Sequence, residues 1–144
     1  IASASGAQAN IALDCRDGEV KLNSSRTGPA PLMSAVHLSG ECVAPSLSAS
    51  QNNYAPTGLD ISTSLILTAS VPVSITGLTN YYDGKILWVY NTGTQTITLT
   101  NEDTLSLAGF RILGKGNVSI VLLAKTGCQL NYSGSITRWI EMSR

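Results

Sequence analysis

The sequence predicts an all-β fold: an antiparallel β-sandwich, jelly-roll-like, preceded by an extended N-terminal arm. Three observations predict it. Short apolar runs with period-two alternation, the signature of half-buried strands, recur at spacings of about 8–15 residues. Gly- and Asn-based turn signals separate them. Helix signals are nearly absent. No repeat of 20–50 residues is visible, which argues against a solenoid or propeller. Two antiparallel sheets covering each other then become the expected small architecture.

At 144 residues the chain is one domain's worth, with a short extra arm. Residues 1–50 read as that arm or as a loosely packed strand layer. They are Gly/Ala/Ser/Pro-rich and weakly periodic, with candidate strands at Ile11–Asp14, Glu19–Leu22 and Met33–Leu38. Gly28-Pro29-Ala30-Pro31 between them cannot be helix interior, because proline lacks the donor and clashes with the preceding turn. The first residues, Ile1 to Ala7, lack the basic and apolar regions of a signal peptide, and because the chain begins at Ile1 rather than Met, something further upstream is expected.

Residues 51–144 read as the sandwich. Leu59, Ile61, Thr63, Leu65 and Leu67 share one face at period two, and Val71, Val73 and Ile75 alternate likewise. The continuous run Lys85–Tyr90 predicts a strand buried on both faces, with Trp88 in the core. Asn91-Thr92-Gly93-Thr94 then reads as a hairpin turn into Gln95–Thr100. Further strands are expected at Asn117–Leu123, Cys128–Tyr132 and Ile136–Met142. Asn101–Ala108 reads first as an irregular loop across the end of the sandwich; a short helix capped by Asn101 and ended by Gly109 is the alternative.

Charged residues make up 12% of the chain, about half the usual share. Nine basic and nine acidic side chains leave no surplus to neutralise phosphates, so nucleic acid is not an expected partner. No apolar run is long enough for a membrane-spanning helix, and an apolar content of 43% argues against disorder. A neutral, charge-poor β surface is poorly protected against association, which points to a subunit of an assembly.

Catalytic and metal constellations are not found. The lone histidine, His37, has no GxSxG elbow to serve and reads as structural. The three cysteines, Cys15, Cys42 and Cys128, form no CxxC and no tetrahedral ligand set. They read as small buried thiols, with a Cys15–Cys42 bridge as the alternative. Glu102-Asp103 reads as solvated or capping rather than as an acid–base pair. The expectation is therefore no enzyme, no cofactor and no metal. Among the aromatics, Trp88 and Trp139 are expected to anchor the core or a subunit contact. Tyr81 and Tyr82, beside Asn80 and Asp83-Gly84, are the best candidates to touch a partner or a glycan. Arg111 and Arg138 are candidates for ion pairs between subunits.

The order Ile61–Ala69, Ile75-Thr76-Gly77-Leu78, Asp83-Gly84-Lys85-Ile86-Leu87, Asn91 to Leu99, Arg111-Ile112 and Tyr132 to Trp139 resembles the β-rich modules of tailed-bacteriophage virion proteins, found in capsid-decoration and tail-fibre chains. The resemblance covers a little over half of the chain. It implies a trimeric, non-enzymatic virion surface protein, assembled in the bacterial cytoplasm. Its partners would be copies of itself and the major capsid protein or tail proteins. A capsid decoration (cement) protein that stabilises the shell is the first expectation. A tail-fibre or receptor-binding module is the second, and a module binding host-surface glycan the third.

Overall fold

The computed structural model describes residues 40–79 and 81–143. The candidate strands before Gly40, together with Cys15 and His37, lie outside them. Among the described residues nine strands run in order: β1 Glu41–Val43, β2 Ser64–Leu67, β3 Val73–Ile75, β4 Ile86–Asn91, β5 Ile97–Leu99, β6 Ile112–Leu113, β7 Ile120–Leu122, β8 Thr126–Ser133 and β9 Arg138–Ser143. Two single-turn 3-10 helices, Ala108–Phe110 and Lys115–Asn117, are the helical content of the described residues.

The strands build a β-solenoid, not a jelly-roll sandwich. A six-stranded sheet runs β1-β2-β4-β8-β9-β6, and a three-stranded sheet runs β3-β5-β7. Both are mixed. β1, β2 and β4 pair in parallel, with Glu41 opposite Ser64 and Ser64 opposite Trp88. In the second sheet Val73 lies opposite Ile97, again in parallel. Isolated parallel bridges join Leu47 to Ala69, Gln51 to Ile75 and Tyr54 to Leu78. Parallel partners in these first coils are thus 22 to 24 residues apart, and each such span is one coil. The coiling then gives way to antiparallel pairing, with β8 running against β4, β9 against β8 and β7 against β5, while β6 pairs in parallel with β9 at the far edge of the larger sheet.

The expectation of an antiparallel sandwich fails at a particular place. Asn91-Thr92-Gly93-Thr94 does not turn β4 back onto itself. It carries the chain around a corner to the other sheet, where β5 pairs in parallel with β3. The side chain of Asn91 holds that corner from inside. Its Nδ2 donates to the carbonyls of Gln95 (2.7 Å), Leu122 (3.0 Å) and Leu123 (3.1 Å), and its Oδ1 accepts from the Gly93 N–H. A buried amide satisfied on both ends replaces the hairpin's own hydrogen bonds.

The coil repeat is invisible in the sequence because stacked positions share polarity, not identity. Cys42, Leu65, Val89 and Cys128 lie in one ladder across four strands, all buried. Ile75, Leu99 and Ile120 stack in the other sheet. These ladders, closed by Leu59, Leu78, Ile112 and Trp139, form a single apolar core. The stretch Gly40–Ser50, placed by sequence in the arm, contains β1 and contributes Cys42, Ala44 and Leu47 to that core. Ile61, expected on the inward face, lies in a loop and is 79% exposed.

Asn101–Leu107 is not an α-helix but an irregular crossing. A polar staple fixes it to the first coil. Ser106 Oγ meets Thr76 Oγ1 at 2.7 Å and accepts from the Asn53 N–H, while Asn53 Oδ1 accepts from the Leu107 N–H. Gly77 permits this approach, since a Cβ there would lie 2.6 Å from the Phe110 carbonyl oxygen.

Candidate functional site

The outer face of the six-stranded sheet carries the most unusual surface of the described residues. Along β4 burial alternates strictly, so Leu87, Val89 and Asn91 point inward and Ile86, Trp88 and Tyr90 point out. The reading of β4 as buried on both faces is therefore corrected. Trp88 is 40% exposed and Tyr90 38%. Their rings are within 10° of parallel, with centroids 6.4 Å apart. Tyr90 lies opposite Gly127 on β8, and its ring fills the space a side chain there would take: a Cβ on Gly127 would meet Tyr90 Cδ1 at 2.7 Å. The ring thus leans across the neighbouring strand. Trp88 lies opposite Gln129, whose Nε2 donates to Asn131 Oδ1 at 3.0 Å. On the other side of β4, Ser64 and Ile66 flank the two rings, followed by Glu41 and Val43 on β1.

Tyr81 and Tyr82 separate into different roles. Tyr81 stacks on Tyr132 (centroids 4.2 Å, 20°) and tilts against Phe110 (5.5 Å). Tyr132 in turn meets Trp139 edge-on at 5.4 Å, so Tyr81 is the outer end of an aromatic column that continues into the core. Trp139 is fully buried, and its Nε1 donates to the Leu78 carbonyl at 2.9 Å. The Tyr132 hydroxyl is buried beside Tyr81, and burial first, then the Tyr81 phenol, push its pKa up. Tyr82, by contrast, is 59% exposed, and Lys85 Nζ lies 5.5 Å from its ring centroid.

Lys85 was missed by sequence reasoning, which took it as the start of an apolar strand. It is buried, and its ammonium donates to the carbonyls of Leu59 (2.5 Å) and Asp60 (3.4 Å). Burial lowers its pKa, against the pull of Asp60 and Cys42. Cys42 carries a free thiol that donates to the Thr57 carbonyl at 3.2 Å, and burial raises its pKa. Lys85 and Cys42 thus both tie the loop 56–60 to the first coils. A lysine flanked by Asp-Gly and three apolar residues was the available signal, since a cation entering a strand must find partners inside.

Three acidic side chains are committed to structure. Glu102 Oε1 pairs with Arg138 Nε at 2.6 Å, Asp103 Oδ1 accepts from the Leu105 N–H, and Asp83 Oδ1 accepts from the Gly134 N–H. Arg138 also donates to the Ala108 carbonyl, and Arg111 Nε to the Ser106 carbonyl, so both arginines have partners within the chain. Among the described residues no group of three or more His, Cys, Asp or Glu side chains could hold a metal ion, and no helix is long and apolar enough to cross a membrane. Open clefts lie elsewhere on the described residues. One of about 410 Å³ is lined by Lys115, Val118 and Glu141 to Ser143, and one of about 340 Å³ by Pro45 to Ser48, Gln51 and Tyr54 to Thr57. In the first, Glu141 Oε2 already accepts from the Lys115 N–H at 2.7 Å.

No protein-family model, curated protein or solved structure matches the chain.

Proposed function

We propose that the chain is a non-enzymatic structural module of a bacteriophage virion surface, carried at the end of a trimeric tail fibre. The observation that supports the tail over the shell is the polarity of the solenoid. Parallel coils stack from β1 through β4, and antiparallel β8 and β9 follow them in the same sheet. Parallel coiling adds length along one axis; antiparallel β8 and β9 interrupt it, and β6, two residues long and parallel to β9, closes the sheet. A unit that elongates and then stops suits the tip of a fibre. The non-enzymatic reading draws on the uses already made of Glu102, Asp103, Asp83 and Lys85 in holding loops.

Val121 on β7 and Leu123 one residue beyond it are exposed aliphatic side chains at the edge of the smaller sheet, and we place the three-fold contact there. Light scattering on the purified chain and electron microscopy of particles labelled with gold-conjugated antibody test the reading together. A trimer with label confined to the tail supports it. Label spread over the shell moves the chain to capsid decoration. A monomer at micromolar concentration that never accompanies particles overturns both.

A further inference from the structure

We infer that Trp88 and Tyr90 form a binding platform for a neutral carbohydrate chain on the outer face of the six-stranded sheet. The inference does not depend on the virion reading. Pyranose rings present C–H faces that pack on aromatic faces, and a linear glycan offers such faces at successive units. Two near-parallel rings 6.4 Å apart on one strand match that kind of ligand. Both rings are held on β4, paired on each side by β2 and β8, so little order has to be gained on binding. Tyr90 is kept in place by the missing side chain at Gly127, a position where any Cβ would displace the ring.

The polar surroundings fit hydroxyl groups. The Gln129–Asn131 hydrogen bond leaves Gln129 Oε1 as an acceptor and Asn131 Nδ2 as a donor, without protein partners among the described residues. Ser64 lies on the other side of Trp88. The strand positions flanking the two rings carry no cation, and the nearest acid along that row is Glu41, two strands away. An anionic glycan would find no counter-charge at these positions, which favours an uncharged ligand. Amides and a hydroxyl interrupt the apolar surface on both sides of the rings, which suits a hydroxylated chain better than a second copy of this surface.

The chain has two tryptophans, and Trp139 is fully buried, so a change in tryptophan emission on adding ligand reports on Trp88. Cellohexaose, maltohexaose, mannohexaose and a sulfated heparin hexasaccharide are titrated into the full chain. The expected result is a saturable blue shift with at least one of the neutral sugars and none with the sulfated one. Affinity should fall about tenfold or more in Tyr90→Ala and stay unchanged in Tyr82→Ala. Far-UV circular dichroism checks that each variant is folded. Binding only of the sulfated sugar, or of none, overturns the proposal. So does a neutral-sugar response lost in Tyr82→Ala and kept in Tyr90→Ala. A blue shift that grows with protein concentration in the absence of sugar also overturns it, and assigns the surface to a second copy.

Discussion

The two faces of the six-stranded sheet are built from the same strands, and each holds one of the chain's two tryptophans. Inside, Trp139 is fully enclosed, with its indole N–H bonded to the Leu78 carbonyl and its ring against Tyr132. Outside, Trp88 rests among Tyr90, Gln129 and Ser64 with two-fifths of its surface in solvent. The exposed tryptophan sits in an apolar run, Ile-Leu-Trp-Val-Tyr, and the buried one among charged residues, Arg-Trp-Ile-Glu-Met. Flanking hydrophobicity therefore does not tell a core tryptophan from a surface one. Strand parity relative to the solenoid interior does.

The largest effect that would break this contrast lies inside. Trp139→Ala removes a buried aromatic ring and leaves the Leu78 carbonyl without its donor. A loss of about 3–5 kcal/mol is expected in urea unfolding. Asn91→Ala follows. It takes one amide away from three carbonyls at the corner between the sheets, and a loss of about 1–3 kcal/mol is expected. A neutral result there would mean that water replaces the amide and that the corner does not depend on it.

That corner also marks the boundary of what the sequence made legible. The all-β class and most strands could be read, because alternation at period two survives in Ser64–Leu67, Val73–Ile75 and Ile97–Leu99. Their connection could not. Asn-x-Gly after an apolar run is as good a hairpin signal as it is a solenoid corner, and the choice is made by Leu122 and Leu123, some 30 residues further on. The repeat was hidden for a related reason. Stacking demands a matching inward volume at each level, which Cys42, Leu65 and Val89 meet with three different side chains, and coils of 22 to 24 residues blur any fixed period. Of the candidate site, Tyr82 was legible as exposed from its turn context. Trp88 and Tyr90 were not, since a run that is apolar throughout conceals which alternate residues face out.

The buried cation Lys85 offers a third, pH-dependent handle on the interior. Its folded pKa lies below its ordinary value of 10.5. As pH rises toward 10.5 the folded state gives up this proton before the unfolded state does, so this group's contribution to stability grows with pH. Cys42, Tyr54 and Tyr132 act in the opposite sense. Their pKa values are raised from 9.0 for the thiol and 10.0 for the phenols. The unfolded chain therefore ionises first above about pH 9, and stability is lost. Lys85→Met should cost stability at neutral pH, because the Leu59 carbonyl loses its donor. The gap between wild type and variant should widen from pH 8 to pH 10.5 in urea midpoints. A constant gap would mean that Lys85 titrates alike in both states.

The smallest stability effect is expected at Trp88, and it sharpens the contrast most. Trp88→Ala removes a ring of the same size as Trp139. The ring it removes already faces water on one side and rests on neighbouring side chains on the other. A change of about 0.5 kcal/mol, against several for Trp139→Ala, is expected from the same urea titrations. A strand that tolerates loss of so large an apolar group without unfolding does not keep it for the fold, since polar β-formers such as threonine would fill the position and protect the exposed sheet better. A loss of 3 kcal/mol or more would instead place Trp88 in a packed environment, and would remove the reason to assign it a ligand.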